Sequence, residues 1–156
     1  MVHTLSVSKT DLARRTRQIV DRARRGETII VESYGEEQVA VVDATDYRIL
    51  RAVAVYYASS PRTDATALED RELVGLTEAQ LAAAVDEAGG AVQQRWNVVM
   101  GAYLDGQINA GRAAVLLGLL SFELDERFQR LGVPRRIGPD TLEEAQAEVR
   151  AALERS

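Results

Sequence analysis

At the start of the chain, the apolar positions predict a short strand followed by a helix. Residues 4–7 form a β-rich run, and Ser8 or Thr10 can cap the next element, because a short hydroxyl side chain accepts a hydrogen bond from a free backbone N–H. Apolar residues then recur at helical spacing up to Gly26, a residue suited to end a helix. The pattern predicts one continuous helix that ends at Arg25, with most of its arginines opposite its apolar face.

Two β-rich runs follow, over residues 28–34 and 38–43. They are separated by Gly35 and by the acidic pair Glu36–Glu37. Two such runs joined by a short glycine-containing turn are typical of a β-hairpin. We therefore expect a hairpin in which Gly35 and the acidic pair form the turn.

The next helix is predicted to begin at Asp43 or Thr45 and to run through Tyr57. The polar stretch after it contains Ser-Ser-Pro and is the best candidate for a linker. The chain is accordingly divided into three parts: residues 1–57, a linker over residues 58–75, and residues 76–156.

Beyond the linker the pattern is helical. The capping-box motif Thr77-Glu78-Ala79-Gln80 predicts a helix start. An apolar stripe with spacings of three or four follows, and a break or kink is expected at Gly89-Gly90. The members of the stripe are Leu81, Val85, Ala88, Val92, Trp96, Val99 and Tyr103.

Residues 105–134 have the pattern of a helix-turn-helix. Asn109 is placed to cap the first helix, Gly118 to form the turn, and Gly132-Val133-Pro134 to end the second helix. A second capping box, Asp140-Thr141-Leu142-Glu143, predicts a last helix near the C-terminus.

Composition excludes several kinds of chemistry. The 156 residues are 46% hydrophobic, which is enough for ordinary cores, and include no cysteine, so disulfides and thiolate sites are excluded. The single histidine, His3, argues against a Ser-His-Asp triad or a multi-histidine metal site. We therefore expect no enzyme, no cofactor, no metal and no catalytic residues. Because no stretch approaches the roughly 20 apolar residues of a membrane span and no signal peptide is visible, a cytoplasmic protein without membrane association is expected.

Charge is distributed unevenly along the chain. The net charge is −5, but the first 57 residues contain nine basic and eight acidic residues, whereas the remainder has a net charge of −6. Between Lys9 and Arg25 seven basic residues face only two acidic ones. Such asymmetry suggests two functions on one chain.

The first part of the chain resembles a known family. The stretches LSVSKTDLARRTRQIVDRARRG and ETIIVESYGEEQVAVVDATDYRIL are similar to the Phd/YefM antitoxin domain over residues 4–57. The resemblance implies a homodimer whose paired surface binds operator DNA, and a following segment that binds a cognate toxin. The residues that we place on the DNA are Lys9, Thr10, Arg14, Arg15 and Arg17. A solvent-exposed basic face without a ligand is the alternative.

The second part has its own resemblance, over about residues 92–153. It is similar to short helix-turn-helix proteins that are predicted to be antitoxins of PIN-domain ribonucleases. The matching residues are Gly106, Ile108, Gly111, Ala113, Ala114, Gly118, Leu119, Gly132 and Pro134. The second helix of this motif carries Glu123, Asp125 and Glu126, whose carboxylates repel phosphate, so we expect a folding or protein-contact module rather than a helix that reads a DNA groove. A plain helical core without a ligand is the alternative.

These observations lead to one functional hypothesis and two alternatives. The expected fold is α+β, with a Phd/YefM-like N-terminal dimerisation domain of three short strands and helices, followed by an all-α helix-turn-helix-like module. The expected function is that of a type II antitoxin, which represses its own operon and neutralises a PIN-like ribonuclease toxin. The candidate toxin contacts are Phe128, Leu142, Val149 and Leu153. The alternatives are a stand-alone transcriptional regulator without a toxin, and a helical protein-interaction dimer that does not bind DNA.

Overall fold

The computed structural model describes residues 3–59, 78–87 and 91–135, together with five helical positions between 146 and 153. Between residues 3 and 135 the described residues form three strands and seven helices, and the fold is α+β, as predicted. The strands are β1 (Thr4–Ser8), β2 (Thr28–Ser33) and β3 (Glu36–Val41). The helices are α1 (Lys9–Arg14), α2 (Thr16–Arg24), α3 (Ala44–Ser59), α4 (Glu78–Glu87), α5 (Val92–Leu104), α6 (Ala110–Leu117) and α7 (Ser121–Leu131).

The strands form one sheet in the order β1-β2-β3. β1 and β2 are parallel, with Leu5 opposite Ile29, and α1 and α2 connect them. β2 and β3 are antiparallel, which confirms the predicted hairpin. Ile29 is buried with Ile19 and Ala23 of α2 in a small apolar cluster, so α2 covers one face of the sheet.

The hairpin turn consists of Tyr34 and Gly35, whose φ angles are 55° and 77°. Positive φ at both central residues defines a type I′ turn, whose twist matches that of the flanking strands. The prediction that Glu36–Glu37 form part of the turn is wrong, because these residues are the first two of β3. Gly35 occupies the second position of this two-residue turn. Tyr34 occupies the first position and therefore also adopts a left-handed conformation.

The basic helix is broken, although the sequence predicted one continuous helix. Arg15 separates α1 from α2 with φ −122° and ψ 28°, outside the helical region. The Thr16 hydroxyl donates a hydrogen bond of 2.7 Å to the carbonyl oxygen of Leu12. This hydroxyl competes with the backbone N–H for that carbonyl, which is the mechanism by which threonine disfavours the interior of a helix.

A larger apolar cluster joins α3 to the helices that follow it. Ile49 and Ala52 of α3 are buried in this cluster, and the Tyr56 hydroxyl donates a hydrogen bond of 2.6 Å to Oδ1 of Asp105. α3 therefore belongs to the core of the helical part, although it directly follows the sheet in sequence. The boundary after residue 57 stays a prediction, but α3 continues through Ser59, two residues into the predicted linker.

Most of the predicted apolar stripe of α4 and α5 is buried. Trp96, Val99 and Tyr103 lie in the larger cluster, whereas Val92 is 53% exposed because it is the first residue of α5. The predicted break at Gly89-Gly90 and the capping residue Thr77 lie outside the described residues.

The helix-turn-helix pattern is confirmed in detail. Asn109 Oδ1 accepts a hydrogen bond of 2.8 Å from the backbone N–H of Arg112 and so caps α6. Gly118 and Gly132 end α6 and α7 in the left-handed conformation, which glycine adopts without strain. Ala113 and Ala114 are fully buried, as expected for small residues at a close helix contact.

Near the C-terminus, the described positions between 146 and 153 are helical, in agreement with the predicted last helix. Its predicted capping box, residues 140–143, lies outside the described residues. Among the helices that the structure describes, none is both long enough and apolar enough to cross a membrane.

Candidate nucleic-acid interface

A shallow basic groove lies on the outer surface of α1 and α2. We call it the arginine groove, and its lining residues are Arg14, Arg15, Arg17, Gln18, Asp21 and Arg25. All six side chains are exposed. The structure thus brings together three of the five predicted DNA contacts, Arg14, Arg15 and Arg17, and adds Arg25.

The break between the two helices places the arginines of the groove. Ser8 caps α1, since its Oγ accepts a hydrogen bond of 3.0 Å from the backbone N–H of Asp11. Arg14 ends α1, Arg15 lies at the junction, and Arg17 belongs to the first turn of α2. Three guanidinium groups therefore lie around one helix junction, and Arg25 lies two turns further along the groove.

The arginines of the groove have no ion-pair partner in the described parts of the chain. Within residues 3–59, 78–87 and 91–135, no carboxylate forms an ion pair with Arg14, Arg15, Arg17 or Arg25. Asp21 is the single carboxylate among the six lining residues. Four exposed cations beside one anion form a surface that attracts phosphate groups.

Arg22 of the same helix has a different role. Its Nε donates a hydrogen bond of 2.8 Å to Oε2 of Glu27, at the turn that leads into β2. This hydrogen bond raises the pKa of Arg22 and lowers the pKa of Glu27 relative to their ordinary values. Arg22 thus stabilises the turn and does not belong to the groove.

Lys9 and Thr10, the other two predicted DNA contacts, lie at the start of α1 and outside the lining of the groove. Both are exposed. Ser8, which precedes them, lies opposite Glu32 in the parallel strand pair, and Glu32 lies opposite Glu37 across the hairpin. The start of α1 is therefore next to the acidic end of the hairpin, which makes it a less favourable contact for phosphate than the arginine groove.

Two of the four predicted toxin contacts, Phe128 and Leu153, are among the described residues. Phe128 is fully buried, with its ring centroid 4.9 Å from that of Tyr103, so the chain does not offer this ring to a partner in the described conformation. Leu153 is 73% exposed. Leu142 and Val149 lie outside the described residues.

Sequence reasoning missed a cluster of charged residues that joins α3 to α7. We call it the Asp–Arg cluster, and its members are Asp43, Asp46, Glu123, Arg127 and Arg130. Arg127 Nη1 lies 2.6 Å from Oδ1 of Asp43 and 2.6 Å from Oδ1 of Asp46. Arg130 Nη2 donates hydrogen bonds of 2.9 and 2.8 Å to the two carboxylate oxygens of Asp46. Asp46 is 4% exposed, so two arginines compensate one buried carboxylate.

The ionisation of Asp43 and Arg127 reflects this arrangement. Burial raises the pKa of Asp43, but hydrogen bonds from Arg127 and from the backbone N–H groups of Asp46 and Thr45 outweigh it, so the pKa lies below its ordinary value. Burial likewise lowers the pKa of Arg127, but its bonds to Asp46 and Asp43 raise the pKa overall. Both groups are therefore held in their charged forms.

The Asp–Arg cluster also reaches the end of α2. Gly26 has a φ of 95°, and a Cβ atom built on it would lie 2.5 Å from Cζ of Arg130. The guanidinium group of Arg130 therefore lies directly against the Gly26 backbone, one residue after Arg25 of the arginine groove. Glycine at this position allows both the left-handed backbone and the close approach of α7.

These contacts limit what α7 can do. Arg127 and Arg130, the two cations within this helix, are bound to carboxylates of the same chain. A helix that reads a DNA groove needs its cationic side chains free for bases and phosphates. The geometry thus argues against DNA contact by α7.

Comparison with known proteins gives no family assignment. No family model matches the chain, and neither a curated protein nor a solved structure matches it. The resemblances to the Phd/YefM domain and to the short helix-turn-helix antitoxins therefore stay predictions, and the function is inferred from the geometry of the chain itself.

Proposed function

We propose that this protein is the antitoxin of a type II toxin–antitoxin pair. Its first part binds operator DNA as a homodimer, and its helical part binds and neutralises a toxin. The single observation that carries the DNA-binding proposal is the arginine groove, in which four exposed arginines have no ion-pair partner among the described residues.

The arginine groove supports DNA binding on electrostatic grounds. Each arginine that contacts a phosphate releases a condensed counterion, so affinity falls steeply with salt concentration. A homodimer presents two grooves and so doubles the number of arginines that reach phosphate groups. The overall charge of −5 does not oppose this, because the cations are concentrated on α1 and α2.

The outer face of α3 supports a homodimer. Tyr47, Leu50 and Tyr57 are 49%, 42% and 62% exposed, although α3 also buries Ile49 and Ala52 on its other side. A helix that is apolar on both sides is typically covered on both sides. A second copy of the chain is the partner that we propose for this face.

The helical part supports the proposal of toxin binding. Residues 58–156 have a net charge of −6, which complements the basic surface that a ribonuclease uses to bind RNA and speeds association with it. The resemblance to predicted antitoxins of PIN-domain toxins points to the same class of partner. Because α7 uses its arginines internally, its contribution is a contact with protein.

Coexpression with the adjacent gene tests the proposal. We expect the chain to co-purify with the product of that gene and to relieve the growth arrest that the product causes when expressed alone. The matched variant Arg14→Gln/Arg15→Gln/Arg17→Gln is expected to keep this rescue and to lose repression of the shared promoter. A chain that binds the promoter but neither co-purifies with the neighbour nor relieves growth arrest is a stand-alone regulator, and this result would contradict the proposal.

A further inference from the structure

The two arginines of α7 and its exposed carboxylate Glu126 lie on different sides of the helix. Arg127 and Arg130 face the rest of the chain, where they bind Asp43 and Asp46. Phe122 and Glu126 are exposed and lie four residues apart, on one side of the helix. The outer face of α7 is therefore apolar and acidic, whereas its basic residues are already bound.

The first turn of α7 begins at an exposed apolar residue. Leu120 occupies the N-cap position and makes no side-chain hydrogen bond there, and it is 61% exposed. Ser8, Asp43 and Asn109 cap α1, α3 and α6 with short polar side chains, whereas α2 and α5, like α7, begin without a side-chain cap. A serine or asparagine at position 120 can supply the cap that Leu120 does not.

Two more exposed apolar residues lie near Leu120 in sequence, one in α6 and one in α7. Phe122 and Val115 are each 64% exposed. Gly118 lies between them, and a Cβ atom built on it would have no neighbour within 4 Å, so the turn is open to solvent. We call Val115, Leu120 and Phe122 the α6–α7 tip.

We propose that the α6–α7 tip is the surface that docks the protein partner, and that the partner offers an apolar pocket bordered by lysine or arginine residues. This inference rests on the proposed function, in which that partner is the toxin. The proposed docking surface consists of three exposed apolar side chains and does not include Phe128, which is fully buried.

The charges beside the tip identify the chemistry of the partner. Glu126 is exposed and forms no ion pair among the residues that the structure describes, and the Glu123 side chain is 37% exposed despite its contact with Arg127. These carboxylates repel phosphate, which disfavours nucleic acid as the occupant. They also disfavour a second copy of the chain, because a twofold interface centred on the tip brings Glu126 towards its own mate. A partner with basic residues around an apolar pocket complements both the α6–α7 tip and the carboxylates beside it.

The variant Leu120→Ser separates partner binding from folding. Serine restores a capping side chain, so the thermal midpoint of the free chain is expected to rise by about 2–4 °C. Affinity for the product of the adjacent gene, measured by calorimetry with the purified proteins, is expected to fall about tenfold or more. Phe122→Ser is expected to weaken binding similarly. Val55→Ser removes another exposed apolar side chain, on α3, and serves as the control with unchanged affinity.

The outcomes of this experiment are distinguishable. If the wild-type chain binds the adjacent gene product and both tip variants bind equally well, the docking proposal fails and the antitoxin proposal stands. If the wild-type chain does not bind that product, both proposals fail. If Leu120→Ser lowers the thermal midpoint, or changes the oligomeric state of the free chain, the tip serves folding or self-association, and the docking proposal is overturned.

Discussion

Arg127 Nη1 lies 2.6 Å from Oδ1 of Asp46, although the two residues are 81 positions apart in the chain. Asp46 is 4% exposed and lies in the first turn of α3, whereas Arg127 belongs to α7. This contact ties the second helix of the helix-turn-helix to the element that directly follows the sheet. Because Arg130 shares the same carboxylate and lies against Gly26, the Asp–Arg cluster connects the helical part to the end of α2.

Asp46→Asn is expected to destabilise the chain strongly. The amide cannot neutralise Arg130, whose one ion-pair partner among the described residues is Asp46, whereas Arg127 keeps Asp43 and Glu123. Removal of one partner from a buried ion pair costs about 3–5 kcal/mol. Urea denaturation followed by circular dichroism measures the loss. Glu36→Gln, an exposed change on β3, is the control. A loss below about 1 kcal/mol for Asp46→Asn would show that the ion pairs contribute little.

The lowered pKa of Asp43 predicts that the free energy of unfolding depends on pH in the acid range. Its pKa in the folded chain lies below the ordinary value of 3.8, so its charged form contributes stability that is fully present above that value. This contribution is lost as the pH falls from about 3.8 through the lower pKa of the folded state. The variant Asp43→Asn keeps a capping oxygen but not the charge, so its free energy of unfolding should decline less steeply over that range. Parallel pH profiles for the wild-type and variant chains would contradict the assignment.

Gly26→Ala tests the contact between α7 and the end of α2. The variant combines a left-handed backbone, which costs an alanine about 1–2 kcal/mol, with a collision between the new Cβ and the Arg130 guanidinium. Gly118→Ala has a similar positive φ and no neighbour within 4 Å of its Cβ, so it carries the backbone cost alone. Gly26→Ala is expected to lose the greater free energy of unfolding, because the Arg130 guanidinium can move away from the new Cβ only by loosening its hydrogen bonds to Asp46. Equal losses would show that the Arg130 side chain moves aside without weakening these bonds.

Ser8→Ala tests the start of the basic segment. Loss of the capping hydrogen bond to the backbone N–H of Asp11 is expected to cost about 1 kcal/mol of stability. Thr10 is the other capping residue that the sequence allows. Thr10→Ala is expected to cost only a few tenths of that amount, because Thr10 lies inside α1. Chemical denaturation of both variants decides between them, and a larger loss for Thr10→Ala would contradict the observed cap.

The features that the sequence predicted correctly depend on short-range chemistry. Asn109, Gly118 and Gly132 act on backbone groups within a few residues, so their type and position were enough to place the ends of α6 and α7. The hairpin was predicted from its two β-rich runs for the same reason. Its turn was placed too late in the chain because a tyrosine, Tyr34, adopts a positive φ that composition does not indicate.

Features that depend on long-range or competing contacts were not predictable in this way. The break at Arg15 depends on a hydroxyl of Thr16 that competes for one carbonyl, within a stretch whose apolar spacing still favours a helix. Asp43 was predicted to start α3, but nothing near it in sequence indicates a partner 84 positions away. Arg14, Arg15 and Arg17 were predicted from their charge together with the Phd/YefM resemblance, whereas only the structure shows that Lys9 lies outside the lining of the groove.

Salt-dependent binding to the DNA upstream of its own gene tests the central claim most directly. We expect Arg14→Gln/Arg15→Gln/Arg17→Gln to weaken binding and to make the fall of log affinity with log salt less steep. The magnitude of the slope should decrease by about 0.9 for every phosphate that the variant no longer neutralises. Arg48→Gln/Arg51→Gln/Arg95→Gln removes the same charge from α3 and α5 and should keep the wild-type slope. Identical affinities and slopes for these two triple variants would contradict the claim that the arginine groove binds DNA.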